Sequence, residues 1–269
     1  MTDAVKNATF PDGQHFLNVV QEFADKVSKQ TTDFTADAGK QLPVTMTRLG
    51  NLLSKLYQIS CCAWGCSQGD HVLEWLTGRV VNQAMSAHRL TWAANYDEAL
   101  TIVRGIGEAA NLAVLFRLDS AELASWKTAS RSERLSQFGP AIVRQKLERK
   151  LKGTYIPIDK KRYQKLCEIG THPVPGMMPG HFNEVGIPIL GGTLQEVGVF
   201  VCINELAYAV SLFALPVARL ISLPKNEEDY IRAESYSVLE DGIGGLTILN
   251  YEEKLKEVRA KRSALESQS

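Results

Sequence analysis

His172 is the residue with the most chemistry to offer in this chain. It closes the stretch 162–172, RYQKLCEIGTH, in which Arg162 and Lys165 precede it. An imidazole titrates near neutral pH and can give or take a proton, and cations beside it can stabilise a developing anion. Tyr163, Leu166, Ile169 and Gly170 recur at the spacing of one buried helical face, with Asp159 placed to cap the helix start. Pro173 disfavours helical backbone at the residue before it, which predicts a helix ending at about His172. There the negative end of the helix dipole favours the imidazolium. Pro173, Pro175, Gly176, Pro179 and Gly180 then make a stiff loop before His181. Without any function, the same pattern reads as a helix-capping histidine with a turn behind it.

A second polar group falls on residues 96–118. Asp97, Thr101, Arg104, Glu108 and Asn111 recur every three or four positions in an otherwise apolar segment. Apolar side chains nearly all round predict a helix central to a bundle. The stripe is then either its one solvated face or a polar line inside a cleft. Gly105 and Gly107 weaken the helix and point to a close approach by another backbone.

Charge is balanced overall, with 30 basic and 30 acidic residues. It is not balanced locally. Residues 127–165 hold twelve lysines and arginines, Lys161 among them, against three acids, a local charge of +9. Such a block suits a polyanion, because phosphate contacts dominate nucleic-acid affinity. It also suits solvated helix faces paired with acidic neighbours.

Five cysteines, and a start (MTDAVKNATF) without a basic run ahead of an apolar one, lead us to expect a reducing, cytoplasmic home. Residues 197–216 are long and apolar enough to span a bilayer, yet Asn204 and Glu205 sit at their middle, so a buried core helix and no membrane is the reading. Cys62, Cys66 and His71 have the makings of half a zinc site, with no second pair close by in sequence, and free buried thiols are the default. Nothing resembles a phosphate-binding loop, a dinucleotide fingerprint or a nucleophile elbow.

The elements that must position these residues are helical. Periodicity predicts helices at 15–29, 44–64, 71–93, 96–118, 141–152, 160–172 and 193–223, and a final one at 251–265 with a thin apolar seam. Residues 1–13 read as frayed, 30–41 as a polar connection and 183–192 as a short β-excursion. The expected architecture is all-α: a single helical-bundle domain over 1–223, then a polar extension over 224–269.

The 163–173 stretch ending in His-Pro, together with the polar stripe 104–111 on an apolar helix, resembles the HEPN superfamily of all-helical, often dimeric proteins from toxin and phage-defence systems. The likeness covers about 96–223. It implies a bundle of long antiparallel helices and a metal-independent endoribonuclease or RNA-binding protein, with no cofactor, a homodimer, and a cognate antitoxin or regulatory protein as partner. Residue by residue, it implies His172 as general base or acid on the RNA 2′-hydroxyl, with Lys165 or Arg162 stabilising the phosphorane-like transition state. The family's arginine corresponds here to Lys165, which keeps the charge and loses the planar bidentate grip. Arg104, Glu108, Asn111 and Lys161 would bind substrate. The alternatives are a non-catalytic helical scaffold or sensor, and a nucleotidyl-modified partner with Tyr163 or Tyr155 as acceptor.

Overall fold

The computed structural model describes residues 12–66, 69–152, 156–171, 192–240 and 245–266. Among them are eleven helices and no strand, so the fold is all-α. In order they are α1 (Gly13–Asp37), α2 (Gln41–Ser60), α3 (Val72–Trp92), α4 (Tyr96–Leu118), α5 (Ser120–Thr128), α6 (Arg131–Phe138), α7 (Pro140–Leu151), α8 (Lys160–Gly170), α9 (Glu196–Leu220), α10 (Lys225–Glu240) and α11 (Tyr251–Glu266).

The most extensive helix pair is α4 against α9. Both are apolar nearly all round, and only partners on several sides can take such surfaces out of water. α4 threads three apolar clusters. Its middle, with Val103, Ile106 and Ala110, packs with α2, α3, α9 and α10. Its first turns, with Tyr96 and Leu100, meet α8, the start of α9 and α11. Its end, Leu115 and Phe116, is covered by α5, α6 and α7. Those three short helices and α8 are all laid onto the central helix.

Several elements depart from the sequence expectation for identifiable reasons. α1 runs on through residues 30–37, because Thr31 is buried and donates to the Val27 and Trp92 carbonyls at 3.0 and 3.1 Å. α6 went unpredicted although its capping box was in view: Ser130 accepts from the Glu133 amide while Glu133 accepts from the Ser130 amide. The segment after 224 forms α10, whose Ile231 and Val238 enter the main core. α4 and α9 are both long and apolar enough to cross a membrane, and 61% and 89% of their apolar windows are buried against other helices. Of the expected frayed start at 1–13, residue 13 begins α1, and residues 1–11, like the expected β-excursion apart from Gly192, lie outside the described residues.

Candidate functional site

The polar stripe of α4 faces α7 and α8. At its start, Thr101 donates its hydroxyl to the Gly170 carbonyl and to the Asp97 carbonyl. Helix α8 sits so close here that a side chain at Gly170 would bring its Cβ within 2.7 Å of the Asp97 carbonyl oxygen. At the stripe's far end Asn111 is buried, donating to the Ile158 carbonyl and accepting from the Ile158 amide, each at 3.0 Å. Asn111 therefore clamps the strap that leads into α8. Between these two anchors lies Gly107, where a Cβ would stand 2.3 Å from Ile158 Cγ1. The close approach at Gly107 is thus by a side chain, as it is at Gly105, which meets Gln83.

The chemistry of the stripe is concentrated at Arg104 and Glu108. Arg104 places Nε 3.5 Å from Glu108 Oε1, and another of its nitrogens donates to Cys167 Sγ at 3.4 Å. Its guanidinium stands 5.8 Å from the centre of the Tyr163 ring. Arg144 of α7 lies over the same ring at 4.0 Å. Burial pushes the Glu108 carboxyl above the ordinary glutamate range, against the pull of Arg104, the Tyr163 hydroxyl and Arg144. Burial likewise raises the Tyr163 phenol, and the Glu108 charge adds to it.

Arg144 is the residue that the sequence reading counted only as one charge in a basic block. It is 9% exposed, and among the described residues one terminal nitrogen is buried without a hydrogen-bond partner. Arg104 Nε, set toward Glu108 at 3.5 Å, also lacks a hydrogen bond. A buried cation without a hydrogen-bonded carboxylate is costly, and a ring face offsets roughly 1–2 kcal/mol of that. The signal was present in register: Val143 and Leu147 face inward, and Arg144 lies between them on the same turn.

Arg162 and Lys165 occupy a different side of α8. Arg162 donates to Glu205 of α9 at 3.1 Å, with its guanidinium 3.8 Å from the centre of the Tyr208 ring. The other Glu205 oxygen accepts the Ile248 amide at 2.9 Å. These groups line a cavity of about 230 Å³ between α8, α9 and α10. Lys165 reaches Glu252 of α11 at 2.9 Å and Glu168 at 3.4 Å. Lys161 is exposed and without an ion pair among the described residues. His172, the loop that follows it, and Tyr155 lie outside the described residues.

The sequence-predicted residues therefore divide. Arg104 and Glu108 meet around Tyr163, Asn111 is committed to backbone, and Arg162 and Lys165 are drawn toward α9 and α11. The arrangement at the α4–α7–α8 seam, two guanidiniums and one carboxylate around an aromatic ring, can receive one anion of planar or tetrahedral shape. No family model, curated protein or solved structure matches the chain.

Proposed function

We propose that this chain is a HEPN-like RNA-binding protein whose phosphate-receiving point is the seam formed by Arg104, Arg144 and Tyr163. The observation that carries this reading is Arg144: a buried guanidinium whose free nitrogen lacks an acceptor, stacked on a ring, beside a second arginine. A phosphate oxygen is the acceptor that such a fork favours, and a nucleobase can extend the ring stack. Arg131, Arg134, Arg149, Lys152, Lys160 and Lys161 are exposed and without ion pairs among the described residues, so they remain available to flanking phosphates. Their neighbours Lys146 and Lys150 are paired with Glu122 and Asp119.

In the cleaving form of this reading, His172 exchanges the proton of the 2′-hydroxyl and the seam holds the phosphate, with no metal, in a homodimeric toxin or phage-defence effector of the cytoplasm. The test is single-stranded RNA incubated with the protein in EDTA, beside Arg144→Met and His172→Ala, with helical content checked by circular dichroism. Binding lost in Arg144→Met supports the seam, and cutting lost in His172→Ala with binding retained supports catalysis. Binding that is indifferent to Arg144 overturns the assignment.

A second reading, a non-catalytic scaffold or interaction module, is favoured by the carboxylate pairing of both Arg162 and Lys165. Cations engaged in this way hold helices together and are not free for a transition state. An intact fold that neither binds nor cuts RNA would leave this reading standing.

A further inference from the structure

The described residues between α2 and α3 turn the chain through unusual backbone on both sides of 67–68. Cys62, Gly65, Gly69 and His71 have φ of +56°, +94°, +75° and +54°. Two of the four are not glycine, and such left-handed residues persist only where their surroundings enforce them. The outcome of these reversals is a convergence of side chains. Cys62 Sγ, Cys66 Sγ and a His71 ring nitrogen all lie within 4.8 Å of one another. Cys62 Sγ and His71 Nδ1 are 3.4 Å apart.

The 3.4 Å separation is that of two ligands around one small ion, and the third donor lies within about 1 Å of the same spacing. With metal–sulfur bonds of about 2.3 Å and metal–nitrogen bonds of about 2.0 Å at tetrahedral angles, neighbouring donors stand roughly 3.4–3.8 Å apart. A cysteine–histidine pair built for nucleophilic attack would have no use for a second thiol at the same point. Soft thiolates joined by an imidazole select zinc over magnesium or calcium, which take oxygen ligands. The flanking groups hold the donors in place. The His71 ring stacks near Trp75, with centroids 6.4 Å apart. Asp70, the adjacent carboxylate, is held by Lys127 at 2.6 Å and by the Val72 amide at 3.2 Å.

We propose that Cys62, Cys66 and His71 form a three-ligand zinc site, with the fourth position open on the solvent side. Cys62 and His71 are half-buried and Cys66 is exposed, so the ion has protein on one side and water on the other. Bound there, zinc would tie the end of α2 to the start of α3 and restrain the turn between them. The site shares no residue with the Arg104–Arg144 seam, so its fate and that of the RNA reading are independent.

The test uses the full chain, reduced and stripped of metal, titrated with cobalt(II) as a spectroscopic stand-in for zinc. We expect one cobalt per chain, a thiolate-to-cobalt charge-transfer band with the visible bands of tetrahedral geometry, and loss of both signals when zinc is added. Cys62→Ser and His71→Ala should each weaken cobalt binding by about 100-fold or more, beyond the 10–100-fold typical of residues that only support a ligand. Cys61→Ser, which alters the neighbouring thiol, should bind as the parent does. Circular dichroism establishes that each variant is folded before titration. Absence of the charge-transfer band in the reduced parent, equal titration by the Cys62→Ser chain, or zinc that fails to displace cobalt overturns the proposal.

Discussion

Arg162 on α8 donates to Glu205 at the middle of α9 across 3.1 Å, and the Glu205 side chain is 1% exposed. A carboxylate can sit at the centre of so apolar a helix because both its oxygens are satisfied, one by Arg162 and the other by the Ile248 amide. Arg162→Met should therefore destabilise the chain by about 3–5 kcal/mol, the cost of stranding a buried charge. Arg162→Met combined with Glu205→Leu should recover most of that loss, because apolar replacements for a buried pair are often neutral. Urea unfolding of the single and double variants measures both.

Glu205 also predicts a pH dependence. Burial raises its carboxyl above the ordinary range, against the opposing pull of Arg162 and the Ile248 amide. A carboxyl raised by folding holds its proton more tightly in the folded chain. Its contribution to stability is fully present below the unfolded value, about 4.3, and is lost as pH climbs through the raised value. The parent should lose stability relative to Glu205→Gln across that window, read as urea midpoints over a pH series.

Asn111 bonds both backbone groups of Ile158, and neither finds a replacement when the amide is removed. Asn111→Ala should cost about 2–6 kcal/mol, two buried groups being left unpaired at about 1–3 kcal/mol each. If Asn111 acts only through RNA, the variant will unfold at the parent's urea midpoint.

Gly107→Ala places a methyl group against Ile158, and overpacking of this kind costs about 1–3 kcal/mol. Ile158→Ala alone should cost about 2–5 kcal/mol, and the double variant should lose less than the sum of the two, since the truncation removes the atoms the new methyl meets. Thermal midpoints of the three variants show whether the two substitutions are coupled.

Arg149, Lys160 and Lys161 are exposed, so their joint replacement by alanine should leave stability within about 0.5 kcal/mol per site. On single-stranded RNA it should reduce the slope of log affinity against log salt by about 2, at roughly 0.7 per phosphate contact. An unchanged slope would take these three residues out of the RNA interface.

Much of the framework was legible in the sequence because it depends on local order. The bounds of α4 follow from apolar periodicity and polar boundaries that the chain carries on its own. The Asp159 cap of α8 is a contact between residues three apart, where its carboxylate accepts the Arg162 amide. α10 was less legible, since Ile231 and Val238 are sparse among charges and become core residues only against α2 and α9.

The candidate site shows where local order stops. Sequence alone determined that Arg104, Glu108 and Asn111 share one face of a central helix, and that Arg162 and Lys165 sit on a short helix in a basic region. Only the tertiary structure decided that Asn111 would hold a backbone strap, that Arg162 and Lys165 would meet Glu205 and Glu252, and that Arg144 would share the Tyr163 ring with Arg104. The reason is physical. A charge is assigned its role by the partner it meets, and these partners lie more than forty residues away for Asn111, Arg162 and Lys165, at separations that no helical period encodes.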